Sequence, residues 1–340
     1  MPSQVSSPRE DIRESRMRMH KIGSVALSGP FFLAPMAGFT DQTYRAICSE
    51  HGASLVYTEM VSAKGFCFGN RKTPELLGME ECICPTAVQL FGSNPQFIAR
   101  ATVLAEPLGN SIIDVNMGCP VPKVVKNGDG SALLRNPEMI YKIVKAMCAE
   151  TDKPVTVKIR TGIQGAKPDA AVAAAQAAQA GGAKAIAVHG RTREQYYSGD
   201  VDIEAMARVV RAVDIPVIGS GNIDCFEAAA EMMKGTGVTF VMVGRAALGD
   251  PWIFRRLNAE YNGEEPLMKP SVSEIADMMT EHYERMEKAK GEYIAVREMR
   301  KFAGRYLKGL KGGAAIRGKI NTVTSGREFR ALINGALHAR

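Results

Sequence analysis

The 340-residue chain has no run of about 18 apolar residues, so nothing in it reads as a membrane-spanning helix. Residues 1–24 carry Arg9, Arg13, Arg16, Arg18 and Lys21 but no apolar segment, which excludes a secretory signal. They read as a polar N-terminal extension. Cysteine is sparse and odd in number, seven over the whole chain, which argues against a disulfide framework and for a reducing cytoplasm. The pair Cys82-x-Cys84 has no neighbouring His or second Cys pair, so no metal site is expected. No G-x-G-x-x-G follows the first strand-like segment, which disfavours an open dinucleotide-binding sheet. Net charge is absent from residues 1–265, which hold 28 Lys+Arg and 28 Asp+Glu. Residues 266–340 hold 15 and 8 and account for the whole +7, a basic appendix suited to a polyanion.

What is present is a repeat of short apolar segments separated by helical ones. The strand-like segments are 31–35, 55–59, 86–91, 112–116, 155–159, 185–189, 217–220 and 240–243. Between them lie helical stretches such as 169–180 and 203–213, and Asn136-Pro137 reads as a helix start. Eight β/α units whose strands are apolar on both faces predict a closed parallel (β/α)8 TIM barrel, an α/β fold, over residues 25–262. Gly263, Pro266 and Pro270 punctuate a linker. Helical segments follow at 272–290, 293–310 and from about 316, a small all-helical domain over 270–340.

The centre of the chain is Ser111-Ile-Ile-Asp-Val-Asn-Met-Gly-Cys-Pro120. It begins as a buried strand and ends at a Gly and a Pro that hold Cys119 at the barrel's C-terminal rim, where barrel side chains meet ligands. A buried structural cysteine is the plain alternative. Polar groups gather at other strand ends: Gln89, Asn116, Lys158 and His189, each costly in a strand without a partner. Ser220-Gly221-Asn222 and Gly244-Arg245 end the last two strands and suit the usual barrel phosphate cradle. Together with the small-residue loop at Pro35, Met36 and Ala37, these groups suit flavin mononucleotide (FMN).

Five motifs then resemble one family in order: Ala34-Pro-Met-Ala-Gly-Phe-Thr-Asp41, Asp114-Val-Asn-Met-Gly-Cys-Pro120, Val157-Lys-Ile-Arg160, His189-Gly-Arg-Thr-Arg-Glu-Gln195 and Val243-Gly-Arg245. The chain resembles the tRNA-dihydrouridine synthases, most of all their bacterial B-type branch. The resemblance implies an FMN-dependent enzyme that uses NADPH to reduce the C5=C6 bond of a uridine in tRNA. It implies Cys119 as the catalytic proton donor. It also implies flavin contacts from Pro35, Met36, Ala37, Gln89, Lys158, His189, Ser220, Gly221, Asn222, Gly244 and Arg245. Asn116 and Arg191 would line the uridine pocket, and Arg297, Arg300 and Lys301 would meet tRNA from one basic helix face. No obligate protein partner is expected. Two departures from the family pattern stand out, Gly219-Ser-Gly-Asn222 after the seventh strand and Phe302 in the basic helix. A small-molecule flavin reductase of the dihydroorotate or dihydropyrimidine type and a non-catalytic RNA-binding barrel are the alternatives.

Overall fold

A computed structural model of the chain describes residues 20–70, 73–79 and 82–338. Eight parallel strands follow one another around a barrel: β1 (Phe31–Leu33), β2 (Val56–Tyr57), β3 (Thr86–Phe91), β4 (Ile112–Met117), β5 (Val155–Arg160), β6 (Ala185–His189), β7 (Val217–Ser220) and β8 (Phe240–Val243). β8 pairs with β1 through Val241 and Phe31, and the ring closes where Phe32 bridges Leu55 ahead of β2. A two-residue strand, Val61–Ser62, extends the edge of β3 after β2 has stopped. The expected segments are therefore all strands. β1 and β2 are shorter than expected: Pro35 has no N–H to continue the first ladder, and the second strand ends at Tyr57.

Strand side chains alternate between the helices and the barrel interior. The inner face begins apolar, with Phe32, Leu55, Ala87, Ile112, Ile218 and Phe240 packed in one cluster. Two residues further along the same faces come Gln89, Asp114, Lys158, His189 and Ser220. The interior is thus oily at its floor and polar at its mouth, and this gradient locates the site. The floor is stoppered by a hairpin, Lys21–Ile22 paired with Val25–Ala26, whose Ile22 is fully buried. Residues 20–24 belong to this plug and not to the expected extension, because Ile22 and His20 pack inward, His20 at 5.9 Å from the Phe240 ring. Residues 1–19 lie outside the described residues.

The longer helices of the barrel are α1 (Gln42–Glu50), α2 (Pro95–Ala105), α3 (Pro137–Cys148), α4 (Ala170–Gly181), α5 (Ile203–Ala212), α6 (Phe226–Thr236) and α7 (Ile253–Tyr261). Their starts follow local chemistry: Asn94, Asn136 and Asp202 each accept a backbone N–H in the first turn of α2, α3 and α5. Beyond the linker come α8 (Val272–Lys290), α9 (Glu292–Tyr306), α10 (Gly313–Ile320) and α11 (Gly326–Ile333). α8 opens with a full capping box, Ser271 and Glu274. α9 stops short of the expected Leu310, and two helices replace the single one expected after Gly313, since Ser325 caps a fresh start. Among the described residues no helix is long and apolar enough to cross a membrane.

The helical region is docked on the loop after β1. Phe302 is fully buried there, with ring centroids 5.5 Å from Phe39, 5.1 Å from Tyr44 and 4.4 Å from His282. The residue set aside in the sequence as a departure is therefore a packing residue. Gly249, after β8, has φ +75°, and a Cβ there would lie 2.4 Å from the Tyr306 nitrogen of α9. The Tyr44 hydroxyl beside it accepts from Gly249 N–H (3.0 Å) and donates to the Ala247 carbonyl.

Candidate active site

The polar mouth is assembled by strand register. Asn116 on β4 lies level with Lys158 on β5, and Arg160 lies level with His189 on β6. His189 is in turn level with Ser220 on β7. Four of the residues expected to meet a ligand thus occupy one rim without any further adjustment of the chain.

Cys119 follows β4 directly. Its backbone is clamped on both sides: its N–H donates to Asn116 Oδ1 (2.8 Å), and its carbonyl accepts from the Ser131 N–H (3.1 Å) and hydroxyl (3.0 Å). Gly118 before it is held by Asn116 Oδ1 at its N–H and by Arg160 Nε at its carbonyl. A Cβ at Gly118 would press to 3.1 Å against the Ile159 backbone, so glycine lets the two strand ends meet without crowding. Cys119 is 7% exposed, yet it joins neither apolar cluster of the barrel. Burial pushes its thiol up, against a backbone hydrogen bond from Val121 and the Arg160 charge, so the sulfur keeps its proton at neutral pH.

The rim is crowded with cationic and polar nitrogen. The Lys158 side chain makes no hydrogen bond or ion pair with any described residue. Burial pulls its ammonium down to about 8, Arg160 adds to this and Asp114 opposes it. His189 is driven down to about 2, first by burial and then by the charges of Lys158, Arg160, Arg191 and Arg245, so its ring is neutral. Its Nδ1 is buried with no partner among the described residues. Asp114, beneath them, is pushed up to about 7 by burial, while bonds from Thr156 and Gln89 and the Lys158 charge pull the other way.

The β6 and β7 loops interlock. Arg191, 2% exposed, donates from Nη2 to Gly199 O (2.7 Å) and Asn222 Oδ1 (2.8 Å), and from Nε to Ser198 O (3.0 Å). Its Nη1 is buried with no partner among the described residues. Most of this expected substrate contact is therefore committed to holding loops together. Asn222 takes a left-handed φ of 54° to reach it, next to Gly221 at φ +132°. Arg245 opens a short 3-10 turn after β8, and its guanidinium lies 5.1 Å from the centre of the Tyr197 ring. The loop Pro35-Met36-Ala37 is partly open, turned by the Thr40 hydroxyl, which accepts from Met36 N–H (2.9 Å).

Three mouth residues escaped the sequence reading. Arg160 bonds Gly118 O, Thr192 O and Tyr196 O, and its alternation with Thr156 and Lys158 was the available signal. Tyr197, half exposed, sits over the rim with Arg160 and Arg245 beside its ring. Glu59 accepts from Gly38 N–H, and burial pushes its carboxyl up. On α9 the expected single basic face divides. Arg300 Nη2 turns away to the Val323 carbonyl (2.8 Å), because the turn before α11 packs there. Arg297 lies over its own helix's Tyr293, 3.4 Å from the ring centre. Lys301 and Arg305 flank Phe39 of the β1 loop at 5.8 and 5.6 Å from its ring centre.

The family model described as dihydrouridine synthase (Dus) matches residues 32–339. A tRNA-dihydrouridine synthase B of Pseudomonas aeruginosa is 39% identical over 308 residues, covering 90% of this chain and 92% of the relative. One of Pseudomonas putida is 38% identical, covering 89% and 90%, and a probable tRNA-dihydrouridine synthase of Rickettsia conorii is 38% identical, covering 89% and 92%. Among solved structures, 6-hydroxypseudooxynicotine amine oxidase of Pseudomonas geniculata N1 superposes with a TM-score of 0.60 at 11% identity, over 82% of this chain. The match spans 53% of that protein's length and shows the barrel fold alone. With the motif-bearing strands, the rim cysteine and these matches in agreement, the chain belongs to the dihydrouridine synthase family.

Proposed function

We propose that the chain is a tRNA-dihydrouridine synthase of the cytoplasm, with residues 25–262 as the catalytic barrel and 270–340 as the tRNA-binding domain. The observation that carries the reading is a covered thiol on the same rim as a half-buried lysine whose amine has no partner among the described residues. The cofactor fit rests on groups left unsatisfied among the described residues: the Lys158 amine, His189 Nδ1 and Arg191 Nη1, at the ends of β5 and β6, are of the kind an anionic, hydrogen-bonding ligand would complete. FMN, reduced by NADPH, would supply hydride to carbon 6 of the uracil. Lys158 and Gln89 would hold its ring system, while Pro35, Met36 and Ala37 would lie along it through their backbone. Ser220, Gly221, Asn222, Gly244 and Arg245 would surround its phosphate end.

Cys119 then delivers a proton to carbon 5. An elevated thiol pKa serves this role, since the group must carry its proton until the uracil carbon demands it. Neutral His189 donates or accepts hydrogen bonds without adding charge. Asn116 fixes the peptide that aims the thiol. Lys301 and Arg305, beside Phe39 of the β1 loop, and the exposed Lys308 would offer charge to the phosphates of an RNA whose target base has left its stack.

Loaded with FMN and given NADPH, the protein is expected to form dihydrouridine in unmodified tRNA. Cys119→Ala should keep its flavin and lose activity by about 100-fold or more, the range set by removal of a general acid. Wild-type turnover in that variant would refute the acid role.

A further inference from the structure

Two members of a buried polar chain at the mouth, Asp114 and Thr156, have no part in the reading above. Thr156 donates its hydroxyl to Asp114 Oδ1 (2.6 Å), and Gln89 Nε2 donates to Asp114 Oδ2 (2.7 Å). Asn116 Nδ2 donates to Gln89 Oε1 (3.0 Å), and Asn116 Oδ1 accepts from the N–H of Cys119 (2.8 Å) and of Gly118 (3.1 Å). Asp114, Thr156, Gln89 and Asn116 are all buried.

The direction of every bond follows from one end. A peptide N–H only donates, so Asn116 must turn its oxygen toward Cys119. Its amide nitrogen then faces Gln89, which must answer with oxygen. Gln89 is left offering its own nitrogen to position 114, and only an acceptor there completes the sequence. Turning either amide over would set two like ends against each other in the dry interior, where an unmade hydrogen bond is most costly.

We propose that Asp114 is a positioning residue for Cys119: as the terminal acceptor it fixes the orientation of Gln89 and Asn116, and through them it holds the Gly118–Cys119 backbone at the rim. Asp114 lies five residues before Cys119 and acts only through the two amides. The same order leaves Gln89 one N–H and one lone pair for a ligand, in a fixed arrangement. The value of the device to catalysis rests on the proposed role of Cys119, but its existence does not.

A polarity swap tests it. Asn116→Asp conserves shape but cannot donate to Gln89. Gln89 must then turn over and present its oxygen to Asp114, acceptor against acceptor at pH 8.5, above the value of about 7 to which burial raises this carboxyl. Adding Asp114→Asn supplies a donor at that point, while Thr156 still donates to the remaining oxygen. The readout is amide hydrogen exchange at Gly118 and Cys119 in the full chain, with the Ile218 amide of β7 as an internal reference for general loosening. Relative to that reference, Asn116→Asp should exchange at least tenfold faster than wild type, and the double variant should return to within about threefold of it. Asp114→Leu, which removes the acceptor outright, should also exchange at least tenfold faster. A double variant as fast as Asn116→Asp, or an Asp114→Leu protein within twofold of wild type, would overturn the proposal. The measurement needs no turnover, so a protein that formed no dihydrouridine would sink the functional reading while leaving this result to stand by itself.

Discussion

Lys290 ends α8 with its amine buried between two elements. It lies 2.7 Å from Asp41, the cap of α1, and 2.7 Å from Glu298 of α9, with Glu75 at 3.9 Å. Both Lys290 and Asp41 side chains are almost covered, 7% and 6% exposed, while Glu298 at 28% keeps some water. At an effective dielectric of about 20 the Lys290–Asp41 attraction is on the order of 4–6 kcal/mol, most of which offsets the desolvation of the two ions. Lys290→Met fills similar volume but leaves Asp41 buried without its counter-ion. Breaking a buried pair in this way costs about 3–5 kcal/mol; the retained Tyr44 N–H bond to Asp41 and the water at Glu298 favour the lower end, about 3 kcal/mol.

The pH dependence has a definite sign. Burial alone would raise the Asp41 carboxyl; Lys290, His282, the Lys290 hydrogen bond and the Tyr44 N–H overcome this and hold it below its ordinary value. Its contribution is therefore present above the unfolded carboxyl pKa of about 3.9 and lost as pH falls through the lower folded value. In the variant the sign reverses, because burial acts unopposed by Lys290 and protonation of Asp41 relieves the defect. Urea unfolding should show a deficit near 3 kcal/mol at pH 7.5 that at least halves by pH 4.5. Asp41→Asn, which still caps α1, should recover most of it when combined with Lys290→Met. A deficit under about 1 kcal/mol at pH 7.5, or one that stays constant with pH, would refute the assignment.

Three further outcomes follow from the docking and the basic helix. Gly249→Ala meets both a left-handed φ and the backbone of α9 at 2.4 Å, so it should destabilise by more than about 2 kcal/mol in thermal or urea unfolding, far beyond the usual Gly→Ala effect. Arg305→Glu with Lys308→Glu removes two exposed charges, so the slope of log affinity for tRNA against log salt should fall by about 1.5. An unchanged slope would place the phosphates elsewhere. Arg300 is the contrasting control: tied to the Val323 carbonyl, its alanine variant should lose stability before it loses salt dependence.

The barrel was legible because each strand carries its own signal. Segments such as Ile112–Met117 are apolar on both faces, and the polar residues in them stand out against that background. Lys158 and Gln89 could be singled out for the same reason, since a charge or amide in such a strand demands a partner. Arg160 shares the face of Lys158 and could have been read the same way. Glu59 could not, because its meaning depends on the Gly38 N–H, 21 residues earlier on another loop. Arg300 was misplaced for a related reason: helical spacing gives its angle around α9 but knows nothing of the turn at Val323 that occupies that angle. The Lys290–Asp41 pair, 249 residues apart, leaves no local trace at all.

These long-range contacts converge on one segment, residues 36–41. Met36 and Thr40 form its turn, Gly38 is held by Glu59, Phe39 packs on Phe302, and Asp41 is bound by Lys290. Its opening residues border the mouth of the barrel, while its closing residues are the ledge on which α8 and α9 rest. A close-packed junction of this kind does not yield at one contact alone. Any shift of α9 that displaces Phe302 must move Phe39 or open a cavity beside it, and a large aromatic pulled from a core costs about 3–5 kcal/mol. The basic side chains of α9 and the wall of the mouth therefore keep a fixed spacing. Under the proposed function, an RNA held by Lys301 and Arg305 would be presented to the rim of Cys119 by the packing of the junction itself.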